Sequence, residues 1–295
     1  MRTALAQEYR SACLVCGGDL ALFGPYSRYT YYRCCACGTI QLFPMPNEAD
    51  MAQAYRDEYA SGKQMERYND PEWYRVVSRT YADSIVRTLK DRAVSGPIVD
   101  CGAGWGFLVE MMIQSGFDAR GVELSHDQVV FAQKRGLPIQ QGDLASLTEM
   151  GGRASVVTLS CVFEHLVNHA CALSAARRLL APNGLLITLH PTASFYNVVG
   201  RAFRLGDTRK PLPDLEGAFA APWHTALFSI DATEQFISRH GFRLLDIRPA
   251  PQGRHGGWVG LAQRLLELTN RIGWPLFRRR WPLVTSHIFV FERTD

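Results

Sequence analysis

The sequence predicts an α/β fold, in which a parallel sheet carries helices on both faces and a small cysteine-rich domain precedes it. From residue 97 onwards, short apolar runs alternate with amphipathic helical patterns. This alternation is typical of parallel strands joined by helical crossovers. Hydrophobic residues make up 47% of the 295 residues, enough for a full core. A mainly disordered chain is therefore excluded.

The strand candidates share a short apolar run bounded by polar or small residues; they are 97–101, 117–124, 138–142, 155–161, 185–190, 242–249 and 286–293. Helical patterns occupy 106–115, 126–135, 169–180 and 231–240. The motif "APNG" at 181–184 predicts a helix stop. Apolar residues recur at helical spacing over 71–92, which predicts another amphipathic helix. The stretch 44–59 begins with two prolines, Pro44 and Pro46. We interpret it as a linker that leads into a short helix.

Five of the eight cysteines fall within the first 37 residues. Cys13 and Cys16 form one C-x-x-C pair, and Cys34 and Cys37 form a second. A glycine follows each pair and permits the tight turn of a metal-binding knuckle. Four thiolates in two such pairs predict a closed, structural zinc site of the zinc-ribbon type. A reduced dithiol and an iron–sulfur cluster are the alternatives.

These patterns divide the chain into three parts. The zinc ribbon takes residues 1–45, and a linker with N-terminal helices takes 46–92. The main domain takes 93–295, with inserts expected at 193–229 and 251–285.

The net charge of +4 is mild for this length. It permits contact with nucleic acid or anionic lipid without requiring either. The chain has no apolar run of 18 or more residues, and its N-terminus lacks the apolar segment of a secretory signal. We therefore expect a cytoplasmic protein with reduced cysteines. No feature of the sequence indicates the oligomeric state.

A glycine-rich turn follows the first strand of the main domain. Gly102, Gly104 and Gly106 alternate after Asp100. Such a turn brings the backbone close to a ligand, most often the pyrophosphate of a dinucleotide at a helix N-terminus. A carboxylate in the turn would repel a phosphate. Asp100 therefore disfavours a dinucleotide.

Two further acidic residues end the next two strands. Glu123 is placed to accept hydrogen bonds from both ribose hydroxyls of a nucleoside. Asp143 is placed to accept one from an adenine amino group. Together with Asp100 they suit an adenosine ligand with cationic groups, and the helix that begins at Gly106 suits its carboxylate. S-adenosylmethionine (SAM) carries an ammonium, a sulfonium and a carboxylate.

The motifs "VDCGAGWG", "GVELS", "GD", "VFEHL" and "RRLLAPNGLLITLHP" resemble successive motifs of class I SAM-dependent methyltransferases. The resemblance covers about residues 70 to 250. The cysteine pairs resemble the subgroup in which a zinc ribbon precedes the methyltransferase domain. The resemblance implies a Rossmann-like sheet of seven strands with the last strand antiparallel. The candidate cofactor-binding residues are Asp100, Gly102, Gly104, Gly106, Glu123, Asp143 and Cys161.

Methyl transfer from a sulfonium is an in-line displacement, so alignment supplies much of the catalysis. A hydroxyl or a weakly acidic carbon as acceptor also needs a base. The candidates are His165, which follows Glu164, then His190 and His224. For His165 the alternative is local packing at the start of a helix. For His190 the alternative is a loop histidine held by Pro191.

The insert at 193–220 and the stretch at 257–284 are both longer than a minimal fold needs. Within 221–229, we expect Trp223, His224 and Phe228 in the acceptor-side wall, with core packing as the alternative. The stretch 257–284 has an apolar helical face and ends near three arginines. We expect a cap whose apolar face packs on the catalytic domain. The alternative is a peripheral contact of this stretch with anionic lipid.

The expected function is methylation of a small-molecule acceptor, such as a metabolite, sugar or natural-product scaffold, at oxygen, carbon or nitrogen. The alternatives are an RNA methyltransferase that uses the zinc ribbon for RNA contact, and a non-catalytic SAM-binding subunit. The ribbon has few basic residues, which argues against a nucleic-acid partner. The N-P-P-[FYW] motif of base-amine methyltransferases is also missing after the fourth strand.

Overall fold

The computed structural model describes residues 12–26, 29–47, 49–51, 70–147, 152–202, 219, 223–252 and 257–295. Residues 49–51 are helical, at the place of the linker helix predicted within 44–59, and residues 52–59 lie outside the described part of the chain. Residues 203–218 and 220–222 of the first insert also lie outside it. The described strands form two sheets, one of seven strands and one of four.

The larger sheet consists of β4 (Ile98–Cys101), β5 (Ala119–Glu123), β6 (Ile139–Gln141), β7 (Ala154–Ser160), β8 (Leu180–Pro191), β10 (Phe242–Pro249) and β11 (Ser286–Arg293). Its order is β10-β11-β8-β7-β4-β5-β6. Strands β4 to β8 pair in parallel, and β11 is antiparallel to both of its neighbours. This arrangement confirms the predicted seven-stranded sheet with its last strand antiparallel.

The smaller sheet consists of β1 (Leu20–Tyr26), β2 (Tyr29–Cys34), β3 (Ile40–Leu42) and β9 (Ala226–Leu227). All its pairings are antiparallel. Three of its strands come from the N-terminal cysteine-rich segment, whereas β9 comes from the predicted first insert. The two segments are therefore joined by backbone hydrogen bonds, although about 180 residues of chain separate them.

The helices whose bounds lie within the described residues are α1 (Pro71–Asp91), α2 (Phe107–Gln114), α3 (His126–Lys134), α4 (His169–Leu179), α5 (Ala193–Ala202), α6 (Ile230–Ser238) and α7 (Gly257–Phe277). Short 3-10 turns cover Leu144–Ser146, Phe163–His165 and Arg278–Arg280. Polar side chains fix several helix starts, because their oxygens accept from backbone N–H groups that lack a partner in the helix. Asp70 caps α1, Asn168 caps α4 and Ser229 caps α6.

The core lies on both faces of the larger sheet. Helices α1, α2 and α3 supply one apolar cluster. The other cluster joins α4 and α6 to the cysteine-rich segment, through Cys13, Val15 and Cys34. This segment therefore packs directly on the main domain. The predicted domain boundaries stay a prediction.

The helix stop predicted at residues 181–184 is confirmed within two residues. Helix α4 ends at Leu179, near the predicted stop, but β8 begins at once at Leu180. Leu180 pairs with Ala154 ahead of an irregularity in the register. The "APNG" motif lies within the bounds of β8, at the irregularity between the pairs Ala154–Leu180 and Val156–Leu185.

The alternative that His190 is a loop histidine is wrong, because His190 lies within β8 and is 1% exposed. Its ring stacks on Phe289 at 5.1 Å between centroids and lies 4.9 Å from Phe163. Its Nδ1 atom has no hydrogen-bond partner in the described structure. Burial, with the nearby His287 and His169, lowers the pKa of His190 to about 3.

Replacement of His190 by Phe should reduce the loss of stability in acid. The folded pKa lies below the usual value of about 6.5, so between these two values the unfolded chain binds a proton that the folded chain does not. The contribution of a neutral His190 is thus fully present above pH 6.5 and is lost as the pH falls. Urea unfolding at pH 7 and pH 5 should show a difference about 2 kcal/mol smaller in His190→Phe than in the wild type.

The matched control is His126→Phe, because His126 is exposed. This control should keep the wild-type difference between the two pH values. Equal pH dependence in His190→Phe and the wild type would contradict the assignment of a neutral buried imidazole.

Candidate active site

Strand β4 lies between β5 and β7 and pairs in parallel with both, so the carboxyl ends of the three strands lie side by side. Asp100 lies near the end of β4 and Glu123 at the end of β5. Cys161 follows β7. This edge of a parallel α/β sheet is where ligands bind. The sheet thus brings three separately predicted residues to one place.

The glycine turn between β4 and α2 needs glycine for both conformation and space. Gly102 and Gly106 have φ values of 69° and 84°, in the left-handed region. A Cβ on Gly102 would lie 2.5 Å from Val162, and one on Gly106 would lie 2.7 Å from Ile139. Helix α2 begins after Gly106 without a side-chain cap. Its first N–H groups therefore suit an anionic ligand group.

Glu123 joins this turn to its own strand end. Its Oε2 accepts from the Gly104 N–H at 2.9 Å, and its Oε1 accepts from the Ser125 N–H at 2.9 Å. The carboxylate is half-buried. It therefore lies against the turn, where the sequence predicts contact with the ribose of a ligand.

Asp100 lies beneath the glycine turn and is 2% exposed. Its Oδ1 accepts a hydrogen bond from the Thr158 hydroxyl at 2.5 Å. Burial raises the pKa of Asp100 to about 7, against the hydrogen bond from Thr158, and the charge of Glu123 raises it further. A cation above the turn would favour the ionised form. The sequence analysis missed Thr158, whose only signal is a polar residue within the apolar run 155–161.

The other two candidate cofactor residues occupy loops at the same edge. Asp143 is exposed, and its Oδ1 accepts from the Ser146 N–H at 3.0 Å, which caps the turn after β6. Cys161 has a φ of 55°, and its N–H donates to the Leu189 carbonyl at 2.7 Å. Their contacts with a cofactor stay a prediction.

His165, Glu164 and His224 form a cluster beside this edge. Their side-chain donor atoms all lie within 4.8 Å of one another. The Nδ1 of His165 lies 2.9 Å from the Trp223 carbonyl, which can only accept, so Nδ1 carries the proton. Its Nε2 thus keeps a lone pair, 3.9 Å from Glu164 Oε1. The Thr225 N–H donates to the Glu164 carbonyl at 2.8 Å and holds the two segments together.

Burial shifts the titration of this cluster. It raises the pKa of Glu164, which is 2% exposed, to about 8. The Oε2 atom of Glu164 has no hydrogen-bond partner in the described part of the chain. Burial and the neighbouring His224 lower the pKa of His165, although 31% of its side chain is exposed. His165 is therefore a neutral imidazole at neutral pH, with an open lone pair.

A family model described as a methyltransferase domain matches residues 73–247. The matched part is more than half of the chain. The chain belongs to this family. The match confirms the resemblance that the sequence motifs indicate.

Curated relatives of the methyltransferase domain carry the name ubiquinone biosynthesis O-methyltransferase. The protein from Pseudomonas aeruginosa is 27% identical over 119 residues, which are 37% of this chain and 51% of the relative. The protein from Azorhizobium caulinodans is 31% identical over 107 residues, which are 34% of this chain and 42% of the relative. The chain spans about half the length of the curated relatives it matches.

Solved methyltransferases have the same fold. The 1,6-didemethyltoxoflavin-N1-methyltransferase of Burkholderia thailandensis, with bound 1,6-didemethyltoxoflavin and S-adenosylhomocysteine, has a TM-score of 0.53 at 13% identity, over 93% of this chain and 100% of its own. Magnesium protoporphyrin IX methyltransferase from Synechocystis PCC 6803, with bound S-adenosylhomocysteine, has a TM-score of 0.53 at 17% identity, over 82% of this chain and 100% of its own. These similarities show the fold.

Two residues predicted near the acceptor lie elsewhere in the methyltransferase domain. His190 is in the core below the cluster, so of the three candidate histidines only His165 and His224 come together. Phe228 is fully buried and packs on Phe163 with 5.1 Å between ring centroids. Its expected place in the acceptor wall is therefore wrong, and the alternative of core packing holds.

The two C-x-x-C pairs precede the methyltransferase domain in the sequence, and the structure brings their four sulfur atoms together. Their Sγ atoms all lie within 4.8 Å of one another. The Val15 N–H donates to the Cys13 sulfur, and the Cys37 N–H donates to the Cys34 sulfur, each at 3.4 Å. Four sulfurs at this spacing fit a tetrahedral metal ion. Cys35 is exposed and lies outside the set.

No helix in the described ranges has both the length and the apolar character needed to cross a bilayer.

A pH titration of S-adenosylhomocysteine affinity tests the Asp100 geometry. Ionised Asp100 attracts an ammonium and protonated Asp100 does not, so affinity should fall about tenfold between pH 8 and pH 6. Calorimetry at each pH measures this change. Thr158→Val removes the hydrogen bond that lowers the pKa of Asp100, and it should move the transition to higher pH.

Asp100→Asn is the control for this titration and should bind weakly at every pH. An affinity of the wild type that stays constant between pH 6 and pH 8 would contradict a role for Asp100 in cation recognition.

Proposed function

We propose that the protein transfers a methyl group from SAM to a small-molecule acceptor. The observation that carries this proposal is the carboxyl edge of the sheet, where Asp100 and Glu123 flank the glycine turn and leave little place for a pyrophosphate. The family match and the neighbours with bound S-adenosylhomocysteine support it. Bound SAM supplies a methyl group on a sulfonium, and its displacement leaves a neutral thioether.

In this proposal each carboxylate has a separate role. Asp100 and the carbonyls of the glycine turn attract the ammonium, while the N–H groups that begin α2 face the carboxylate. Glu123 exchanges its bond with Gly104 N–H for the ribose hydroxyls. Asp143 and Cys161 contact the adenine side of the cleft.

His165 is the proposed general base. Its protonated Nδ1 is held by the Trp223 carbonyl, so Nε2 is oriented to take the proton of an acceptor hydroxyl or carbon acid. The Glu164 carboxylate stabilises the imidazolium that results. His224 lines the same place, with 4.7 Å between its ring centroid and that of His165. The names of the relatives favour an oxygen acceptor.

We infer that the four cysteines hold zinc, and that this zinc ribbon positions the acceptor side of the cleft. Four thiolates fill a tetrahedral site, so the metal is structural. The Tyr31 hydroxyl donates to the His224 carbonyl at 2.7 Å, and β3 pairs with β9 just beyond His224. The Ser229 hydroxyl donates to the Cys37 carbonyl at 2.7 Å. The ribbon thus holds the segment that supplies both His224 and the carbonyl of Trp223.

Metal analysis tests the zinc ribbon. The purified wild type should contain one zinc per chain, and Cys37→Ser should lose it, since three protein ligands hold zinc much more weakly than four. Cys35→Ser is the matched control in the same knuckle and should keep the metal. Zinc content that is equal in Cys37→Ser and Cys35→Ser would contradict the assigned ligand set.

Turnover of methyl-labelled SAM on a panel of phenolic, sugar and carbon-acid acceptors tests the base. On any accepted substrate, His165→Gln should reduce turnover about a hundredfold or more. The wild-type rate should rise with pH through about 8, because burial holds the pKa of Glu164 near that value. Glu164→Gln should be slow and should lose this rise.

The control for the base is His240→Gln, a half-buried histidine that follows α6. It should keep wild-type turnover. If His165→Gln turned over as fast as this control, His165 would not be the base. If no acceptor in the panel were methylated while S-adenosylhomocysteine still bound, the non-catalytic alternative would be favoured.

A further inference from the structure

Helix α7 turns its polar face towards the protein. Gln263 and Asn270 are each 7% exposed. The Asn270 side-chain oxygen accepts from the Trp281 indole N–H at 2.8 Å. The Glu267 carboxylate accepts from the Gln252 N–H at 2.9 Å. Hydrogen-bonding groups therefore anchor the helix together with Trp274, which is buried against His287, whereas a surface helix normally buries a mainly apolar face.

The opposite face of α7 is apolar and exposed. Seven of the twelve large exposed hydrophobic side chains in the described structure belong to it: Trp258, Leu261, Leu265, Leu268, Ile272, Leu276 and Phe277. The first six recur every three or four residues, so they form one stripe. Trp258 is 85% exposed and Leu276 is 70% exposed. The expected cap is therefore wrong, because the apolar face does not pack on the described part of the domain.

The positive charge of the chain is concentrated beside this stripe. Segment 257–285 holds five arginines and one acidic residue, a net charge of +4, which equals the net charge of the whole chain. The rest of the chain is therefore balanced. Arg279 forms ion pairs with Asp231 and Glu234 of α6. The other four arginines of the segment are exposed: Arg264, Arg271, Arg278 and Arg280.

A surface that matches this face is apolar in its interior and anionic at its border. The headgroup and acyl boundary of an anionic bilayer has that character. A second copy fits less well, because face-to-face pairing of α7 would bring the two sets of arginines together. We propose that α7 lies in the surface of an anionic membrane, with the apolar stripe in the acyl boundary and the four arginines at the headgroups.

The position of α7 places the proposed membrane contact near the candidate active site. Strand β10 ends at Pro249 and the antiparallel β11 begins at Ser286, so α7 projects from the same sheet edge as the glycine turn. Membrane contact would therefore hold the candidate active site close to the bilayer. Delivery of an apolar acceptor from the lipid by this route rests on the proposed function; the contact itself does not.

Vesicle flotation tests the contact with the full-length protein. Vesicles of phosphatidylcholine alone are compared with vesicles that also contain phosphatidylglycerol. The wild type should float with the anionic vesicles, and its affinity should fall about tenfold or more at high salt. Leu265→Gln with Ile272→Gln should abolish flotation. Replacement of the four exposed arginines by Gln should weaken binding to anionic vesicles about tenfold or more.

The matched control changes the same residue types on another helix. Val76→Gln with Arg87→Gln, on the exposed face of α1, should float like the wild type. In the wild type, brominated lipid should quench part of the tryptophan fluorescence, and Trp258→Phe should remove that part. All these variants should bind S-adenosylhomocysteine as the wild type does, so failure of lipid contact is distinct from failure of the proposed function.

Two results would overturn the proposal. One is equal flotation of the wild type and the Leu265→Gln, Ile272→Gln variant. The other is a wild type that ignores anionic vesicles but forms a dimer in sedimentation equilibrium that the same two substitutions dissolve. That second result would assign the stripe to another copy of the chain.

Discussion

The hydrogen bond from Thr158 to Asp100 joins β7 to β4 beneath the glycine turn, and the candidate active site depends on it. A carboxylate that is 2% exposed is costly to ionise. Here a hydroxyl on the neighbouring strand offsets part of that cost. The acid therefore titrates near pH 7. Glu123 then ties the turn above Asp100 to the end of β5, so the free protein already holds the turn in place.

The acceptor side of the cleft is built from two segments that lie far apart in the sequence. The 3-10 turn after β7 supplies Glu164 and His165, and a segment almost 60 residues later supplies Trp223 and His224. Neither segment is held by local structure alone. Thr225 binds the second segment to the first, and β9 extends the sheet of the cysteine-rich segment. The cysteine-rich segment in this position supports the cleft, because it pairs with β9 and packs into the core of the main domain.

Much of the fold follows from local sequence signals. The alternation of apolar runs and helical patterns is enough to predict the parallel strands, and the glycine turn identifies the ligand-binding edge. The cysteine spacing likewise predicts the sulfur cluster. The pairing of β3 with β9 carries no such signal, because it joins two very short strands across most of the chain. Thr158 is similarly hidden, since its role depends on a residue of a neighbouring strand.

The wrong predictions for α7 and His190 also have physical causes. An amphipathic period shows that a helix has two faces, but it does not show which face meets the protein. In α7 the face that carries Gln263, Asn270 and Trp274 does, and the apolar stripe does not. A histidine near the end of an apolar run can end the strand or continue it. His190 continues β8, because β11 pairs with this strand from Leu185 to Pro191. Both questions are decided by tertiary contacts.

The role assigned to the glycine turn and its carboxylates is to recognise an adenosine ligand with a cationic group and not a dinucleotide. Calorimetric titration of the wild type with S-adenosylhomocysteine and with NAD at pH 8 tests it most directly. We expect micromolar binding of S-adenosylhomocysteine, no measurable binding of NAD, and loss of S-adenosylhomocysteine binding in Asp100→Ala. Tighter binding of NAD, or an affinity for S-adenosylhomocysteine that Asp100→Ala leaves unchanged, would contradict it.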